Sequence, residues 1–169
     1  MKIGNIEKLS PREELAPIVR PGKPTLYFLF KSSISPEKAG EIATKTLKKG
    51  QMSGVIRPGG KIEEIEVDSD KRLDLLMAIN FVKSLDSIYI IETKTDEEGE
   101  EYQARVELPF TWETIDLEDY TTYTNYSDEL EEFGLSAGEI GFVAMKAAQV
   151  NMVNDEMVRG ARDDFLASR

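Results

Sequence analysis

The sequence predicts an α+β fold with an antiparallel or mixed sheet built from hairpins. Three observations lead there. Strand-like runs separated by tight turns crowd the first two-thirds of the chain, helical patterns close it, and one broadly apolar helix lies between the strand pairs. At 169 residues, 40% hydrophobic and 31% charged, the chain is large enough for one core and too apolar for a disordered segment.

Residues 1–23 read as an extended arm, broken by Pro11, Pro17 and Pro21, with Ile3, Ile6, Leu9, Leu15, Ile18 and Val19 as apolar contact points. Residues 24–169 read as one domain: sheet-rich over 24–110, an aromatic connector over 110–126, and helical over 127–167. Thr25–Phe30 has the continuous apolar pattern of a buried strand. Ser35 followed by Pro36-Glu37 makes a helix start, and the helix is expected to stop at Gly50. Gly54–Arg57 and Lys61–Val67 flank Pro58-Gly59-Gly60 as a β-hairpin.

Asp68 or Ser69 caps the core helix, expected over about 70–85, whose Leu73, Leu76, Met77, Ile79, Phe81 and Val82 leave little polar face. Ser87–Thr95 and Tyr102–Leu108 form a second strand pair around a very acidic turn, Asp96 to Glu101. Ser127 is expected to cap a short helical turn ending at Gly134. Ser136-Ala137-Gly138-Glu139 is a capping box for a helix to about Val153, and Asn154 caps a last one.

Composition removes whole classes of chemistry. The chain has no cysteine and no histidine. Thiolate nucleophiles, disulfides, Cys- or His-ligated metals and Ser-His-Asp hydrolysis are excluded. Carboxylate, Lys or Tyr catalysis survives. No apolar run reaches the roughly 18 residues of a membrane helix, and the start of the chain lacks a signal-peptide core, so a cytoplasmic setting is expected.

Net charge is −11, unevenly placed. Residues 1–61 hold 12 Lys/Arg and 5 Asp/Glu, a net of +7; residues 62–169 hold 9 and 27, a net of −18. The basic segment can pack on the acidic one within one subunit, or one copy's basic region can meet the acidic face of the next. Nucleic acid is disfavoured as a partner, because the overall field repels phosphate.

Several motifs tempt and fail. Gly54–Ile62 resembles a phosphate-binding loop, but its lysine comes one residue late and Ile62 stands where a hydroxyl should hold magnesium. Asp68–Asp74 resembles half a calcium loop without its glycine or its final glutamate. The acids at 97–101 and at 116–119 read as solvated turns, and no carboxylate pair stands out for acid–base work. No cofactor and no metal site is expected.

More distinctive are Phe110, Trp112, Tyr120, Tyr123 and Tyr126, five aromatics in an aperiodic stretch. They can plug the gap between sheet and helices, or anchor a partner. The small residues Gly138, Gly141, Ala144, Ala147 and Ala148 suit close helix packing.

The closing segment Val150-Asn151-Met152-Val153-Asn154-Asp155-Glu156-Met157-Val158-Arg159-Gly160-Ala161-Arg162-Asp163-Asp164-Phe165-Leu166 resembles the last helices of some tailed-phage tail-assembly proteins. The resemblance implies a non-enzymatic morphogenesis protein: a tail chaperone, or a small tail, baseplate or neck component. The expectation is therefore a protein-binding protein, possibly a homo-oligomer, with contacts at Ile3, Ile6, Leu9, Leu15, Ile18, Val19, Trp112, Tyr120, Tyr123 and Tyr126. Two alternatives stand beside it: an acidic regulator or inhibitor docking on a basic protein surface, and an enzyme using carboxylate or lysine chemistry.

Overall fold

A computed structural model describes residues 10–52 and 67–152. The elements run β1 (Glu13–Ile18), β2 (Leu26–Lys31), α1 (Pro36–Met52), α2 (Ser69–Ser84), β3 (Leu85–Thr95), β4 (Glu101–Leu108), a 3₁₀ segment (Tyr120–Asn125), α3 (Tyr126–Phe133) and α4 (Ala137–Asn151). The described strands form one antiparallel sheet in the order β1-β2-β3-β4, so the fold is α+β. The hairpin expected around Pro58-Gly59-Gly60, the helix expected from Asn154, most of the closing segment, and Ile3, Ile6 and Leu9 lie outside the described residues.

The expected arm is corrected over 13–18, which form an edge strand of the sheet. Strand alternation explains this: Ala16 and Ile18 are buried while Leu15 and Pro17 point to the other face. Pro17 cannot donate a ladder hydrogen bond, and β1 tolerates it because it has a neighbour on one side only among the described strands. Two further expectations shift. α1 passes through Gly50 to Met52, and α3 begins after Asn125, with no side-chain cap from Ser127.

The inner sheet face carries Ala16 and Ile18 on β1, Leu26, Phe28 and Phe30 on β2, and Leu85 and Ile88 on β3. Phe81 of α2, Leu130 of α3, and Val143, Ala144, Ala147 and Val150 of α4 pack against them. On its opposite side α2 offers Leu75, Ala78, Ile79 and Val82 to Ala39 and Ala43 of α1 and to Ile115 and Tyr123. α2 is thus the shared wall of two hydrophobic clusters. Each large side chain it buries is worth about 2 kcal/mol.

α4 is fixed at both ends by arginines flanking β1. Arg12 donates to the carbonyls of Gln149 (3.0 Å) and Met152 (2.6 Å), at the negative end of the helix dipole. Arg20 donates to Glu139 Oε1 (2.6 Å) and to the Gly134 carbonyl (2.6 Å). Glu139 is also the third residue of α4 and the acidic member of the expected capping box, which forms with Ser136. Gly134, at φ 107°, ends α3, as its sequence position predicts.

Inside the sheet–helix junction lies a polar cluster. Asn151 Nδ2 donates to Ser84 Oγ (2.7 Å) and Asn80 Oδ1 (3.1 Å), and Asn151 Oδ1 accepts from the Ser33 backbone N–H (3.1 Å). Asn80 and Ser84 are buried, so these bonds satisfy groups that water does not reach.

Two expectations follow. Asn151→Ala orphans buried polar groups on α2 and should cost about 1–3 kcal/mol in urea unfolding. The hydrogen bond from Arg20, followed by those from Ser136, lowers the Glu139 carboxyl from 4.5 to about 2. A depressed carboxyl stabilises the fold above its unfolded value and loses that effect as pH falls towards its folded one. The stability gap between the natural chain and Glu139→Gln should hold above pH 4.5 and close as pH falls to about 2, read by urea unfolding across that window.

Candidate interaction surfaces

The sheet alternation that fills the core also places side chains on the outer face. Register aligns Leu15 with Leu29, Leu29 with Ser87, Pro17 with Tyr27 and Tyr27 with Tyr89. Ile91 pairs with Arg105 and shares this face. Tyr27 and Tyr89 stack at 5.1 Å with 13° between their planes, and the Arg105 guanidinium lies 4.0 Å from the Tyr89 ring centroid. Leu29 and Tyr89 are buried, and none of these residues belongs to either core cluster of the described residues. Leu15 remains 37% exposed and Ile91 43% exposed. The result is an apolar and aromatic strip across the sheet with no described helix among its neighbours.

On the inner face the helical layer stops short of the β4 side. Ile88, Ile90, Val106 and Leu108 share this face and stay half-exposed. Beside them a cavity of about 350 Å³ has Phe28, Leu85, Ile88 and Leu130 in its lining and Phe110, Trp112 and Phe133 around it. Glu113, Glu129 and Glu132 edge it. Glu129 fastens α3 to the connector: its oxygens accept from Thr114 N–H and Oγ1 (both 2.6 Å) and from Glu113 N–H (3.1 Å). Burial opposes ionisation of Glu129, but these bonds outweigh it and hold the carboxyl below its usual range.

The expected contact residues scatter. Leu15 reaches the outer strip, and Val19 is 73% exposed just beyond β1. Ile18 is turned into the main core among Val143, Ala147 and their neighbours, which corrects its expected role as an arm contact. Tyr123 is fully buried, and its hydroxyl donates to the Leu117 carbonyl (2.9 Å). It closes the second cluster and presents no surface to a partner, and burial raises its pKa first of all. Tyr126 stacks on Phe81 (4.7 Å) and Trp112 meets Phe81 edge-on (6.3 Å), so both join sheet to helices. Tyr120 leans on Tyr123 beneath Lys83. The connector is therefore mainly a plug. The exposed aromatics beside the cavity are Phe110, one of the five aromatics singled out in the sequence, and Phe133, which was not among them. Phe133, directly before the helix-ending Gly134, is 67% exposed, and its place in an ordinary helical pattern gave no signal of this.

The acidic motifs have local structural work. Asp68 accepts from Asp70 N–H and Lys71 N–H as the α2 cap. Asp96 accepts from Glu98 N–H and Glu100 N–H in the β3–β4 turn, and Asp119 accepts from Thr121 to start the 3₁₀ segment. Among the described residues, no three carboxylates converge as metal ligands would, and no helix is long and apolar enough to cross a membrane. A second cavity, about 720 Å³, lies by α1 and α2, with Asp74 as the one carboxylate among its described lining residues. Small residues of α4 divide: Ala144 and Ala147 are buried against the core, while Gly138 and Gly141 face open space. No family model, curated protein or solved structure matches the chain.

The plug role of the connector is directly measurable. Tyr123→Ala should cost on the order of 3 kcal/mol in chemical denaturation, as aromatic truncations in cores do. Tyr120→Ala should cost less than half as much.

Proposed function

We propose that this chain is a non-enzymatic protein-binding component of tailed-phage particle assembly, acting through the outer face of its sheet. The observation that carries the reading is the exposure of Leu15 and Ile91 on the outer sheet face, at either side of the half-buried Tyr27 and the buried Leu29 and Tyr89. An apolar sheet face of this kind favours a partner that removes it from water, at about 25 cal/mol per Å² before ordering costs. The composition supports a contact-driven role, since neither imidazole nor thiol is present. The assignment to a tail, neck or baseplate rests on the resemblance of residues 150–166.

A second reading has its own support. The net −18 over residues 62–169 suits an acidic regulator that docks on a basic protein surface. Salt separates the two, because exposed charge contacts are screened and hydrophobic contacts are not.

The test is a pull-down with the tagged full chain from lysate of phage-producing cells, with bound proteins identified by mass spectrometry. Particle polypeptides should be retained at high salt and lost with Leu15→Glu/Ile91→Glu, whose exposed positions leave folding intact by circular dichroism. Retention of every partner by the double variant overturns the outer-face reading. Recovery of basic host proteins alone, released by salt, favours the regulator instead.

A further inference from the structure

We infer that the groove between β3, the connector and α3 is a second docking site, which takes a basic amphipathic segment of a partner protein. It lies on the opposite side of the sheet from the outer strip, so the two surfaces can be engaged independently.

The shape and chemistry of the groove select this occupant. Its lining includes the apolar side chains Phe28, Leu85, Ile88 and Leu130, with Thr111 and three glutamates as its polar members. At the mouth Phe110 and Phe133 carry apolar surface out to solvent, 37% and 67% exposed. The half-exposed Ile90, Val106 and Leu108 extend the apolar face along the sheet. An apolar cavity continued by apolar side chains along the strands fits the apolar stripe of a helix.

Charge fixes the rest. Glu113, Glu129 and Glu132 border the cavity, and no described lining residue is basic. Cationic side chains flanking an apolar stripe would meet that rim, which steers encounter and rejects acidic segments. The walls are held in place before binding: Glu129 ties α3 to Glu113 and Thr114, and Trp112 packs edge-on against both Phe81 and Phe110.

The absence of cysteine gives a clean probe. Thr111 lines the cavity and is exposed, so Thr111→Cys places the single thiol of the full chain at the mouth. Its reaction with a neutral maleimide is followed with and without an amphipathic Leu/Lys peptide of about 14 residues, roughly four helical turns. The peptide should slow labelling by at least about tenfold, and adding Phe133→Glu should abolish the protection. A Gln/Lys peptide of equal charge should give none. The inference is overturned by no protection from the Leu/Lys peptide, equal protection from the Gln/Lys peptide, protection that survives Phe133→Glu, or a thiol that is unreactive without peptide because the chain covers its own groove. Labelling that slows as the protein's own concentration rises assigns the groove to a second copy and also overturns it. None of these touches Leu15 or Ile91, so failure here leaves the outer-face reading standing.

Discussion

The match between β1 and α4 is the constraint from which the rest of the fold follows. The two arginines that grip α4 are eight residues apart, and an extended chain of that length spans about 26 Å. A fifteen-residue helix is about 23 Å long. One strand therefore reaches both ends of one helix, with a cation at the C-terminal carbonyls and an ion pair to the capping box at the other end. Between those clamps, Ala16 and Ile18 meet Val143, Ala147 and Val150. Without this match β1 would be a short, proline-bearing edge strand with little to hold it.

With α4 fixed, α2 has one possible depth. It must present Phe81 to the sheet and Leu75, Ala78 and Ile79 to α1. Apolar contact alone would tolerate a slide along the helix axis, since hydrophobic burial is not directional. The Asn151, Asn80 and Ser84 cluster is directional, and it removes that freedom. α2 then passes into β3 without a loop, so the strand register is set by the helix that precedes it. The irregularity between Leu29 and Phe30, where β2 meets the start of β3, is where this continuity enters the ladder.

Much of this was legible in the sequence, because local chemistry decided it. The Asp68 cap, the Ser136–Glu139 capping box, the Gly134 stop and the β3–β4 strand pair all form where residue type and spacing place them. What was not legible depends on partners remote in sequence. Pro11, Pro17 and Pro21 mark an arm when read alone, and only the presence of α4, more than a hundred residues later, turns 13–18 into a strand. The connector aromatics show the same limit. Composition says that Tyr120, Tyr123 and Tyr126 are large and amphipathic, but which of them faces inward depends on the path of the 3₁₀ segment over α2. Phe133 was missed for the opposite reason: it sits inside an ordinary helical pattern, and its exposure is a fact of packing.

The charge split acquires a different meaning once the acids are placed. An excess of −18 over residues 62–169 suggests one strong negative field. In the fold, several of those carboxylates are engaged with nearby backbone and side chains. Asp68, Asp96 and Asp119 accept from N–H groups, Glu129 accepts from Thr114 and Glu113, and Glu139 is shared between Ser136 and Arg20. These acids have fixed positions and directed lone pairs, and they act as structural joints. Their hydrogen bonds fix these carboxylates without cancelling their charge, and among the described residues further exposed acids stand on the β3–β4 turn and around α3. The turn lies at the far end of the β3–β4 ladder from Ile88 and Leu108, so these are two separate acidic regions. At the groove itself Glu113, Glu129 and Glu132 stand beside Phe110 and Phe133, so there the carboxylates that would guide a cationic partner and the apolar surface that would retain it lie together.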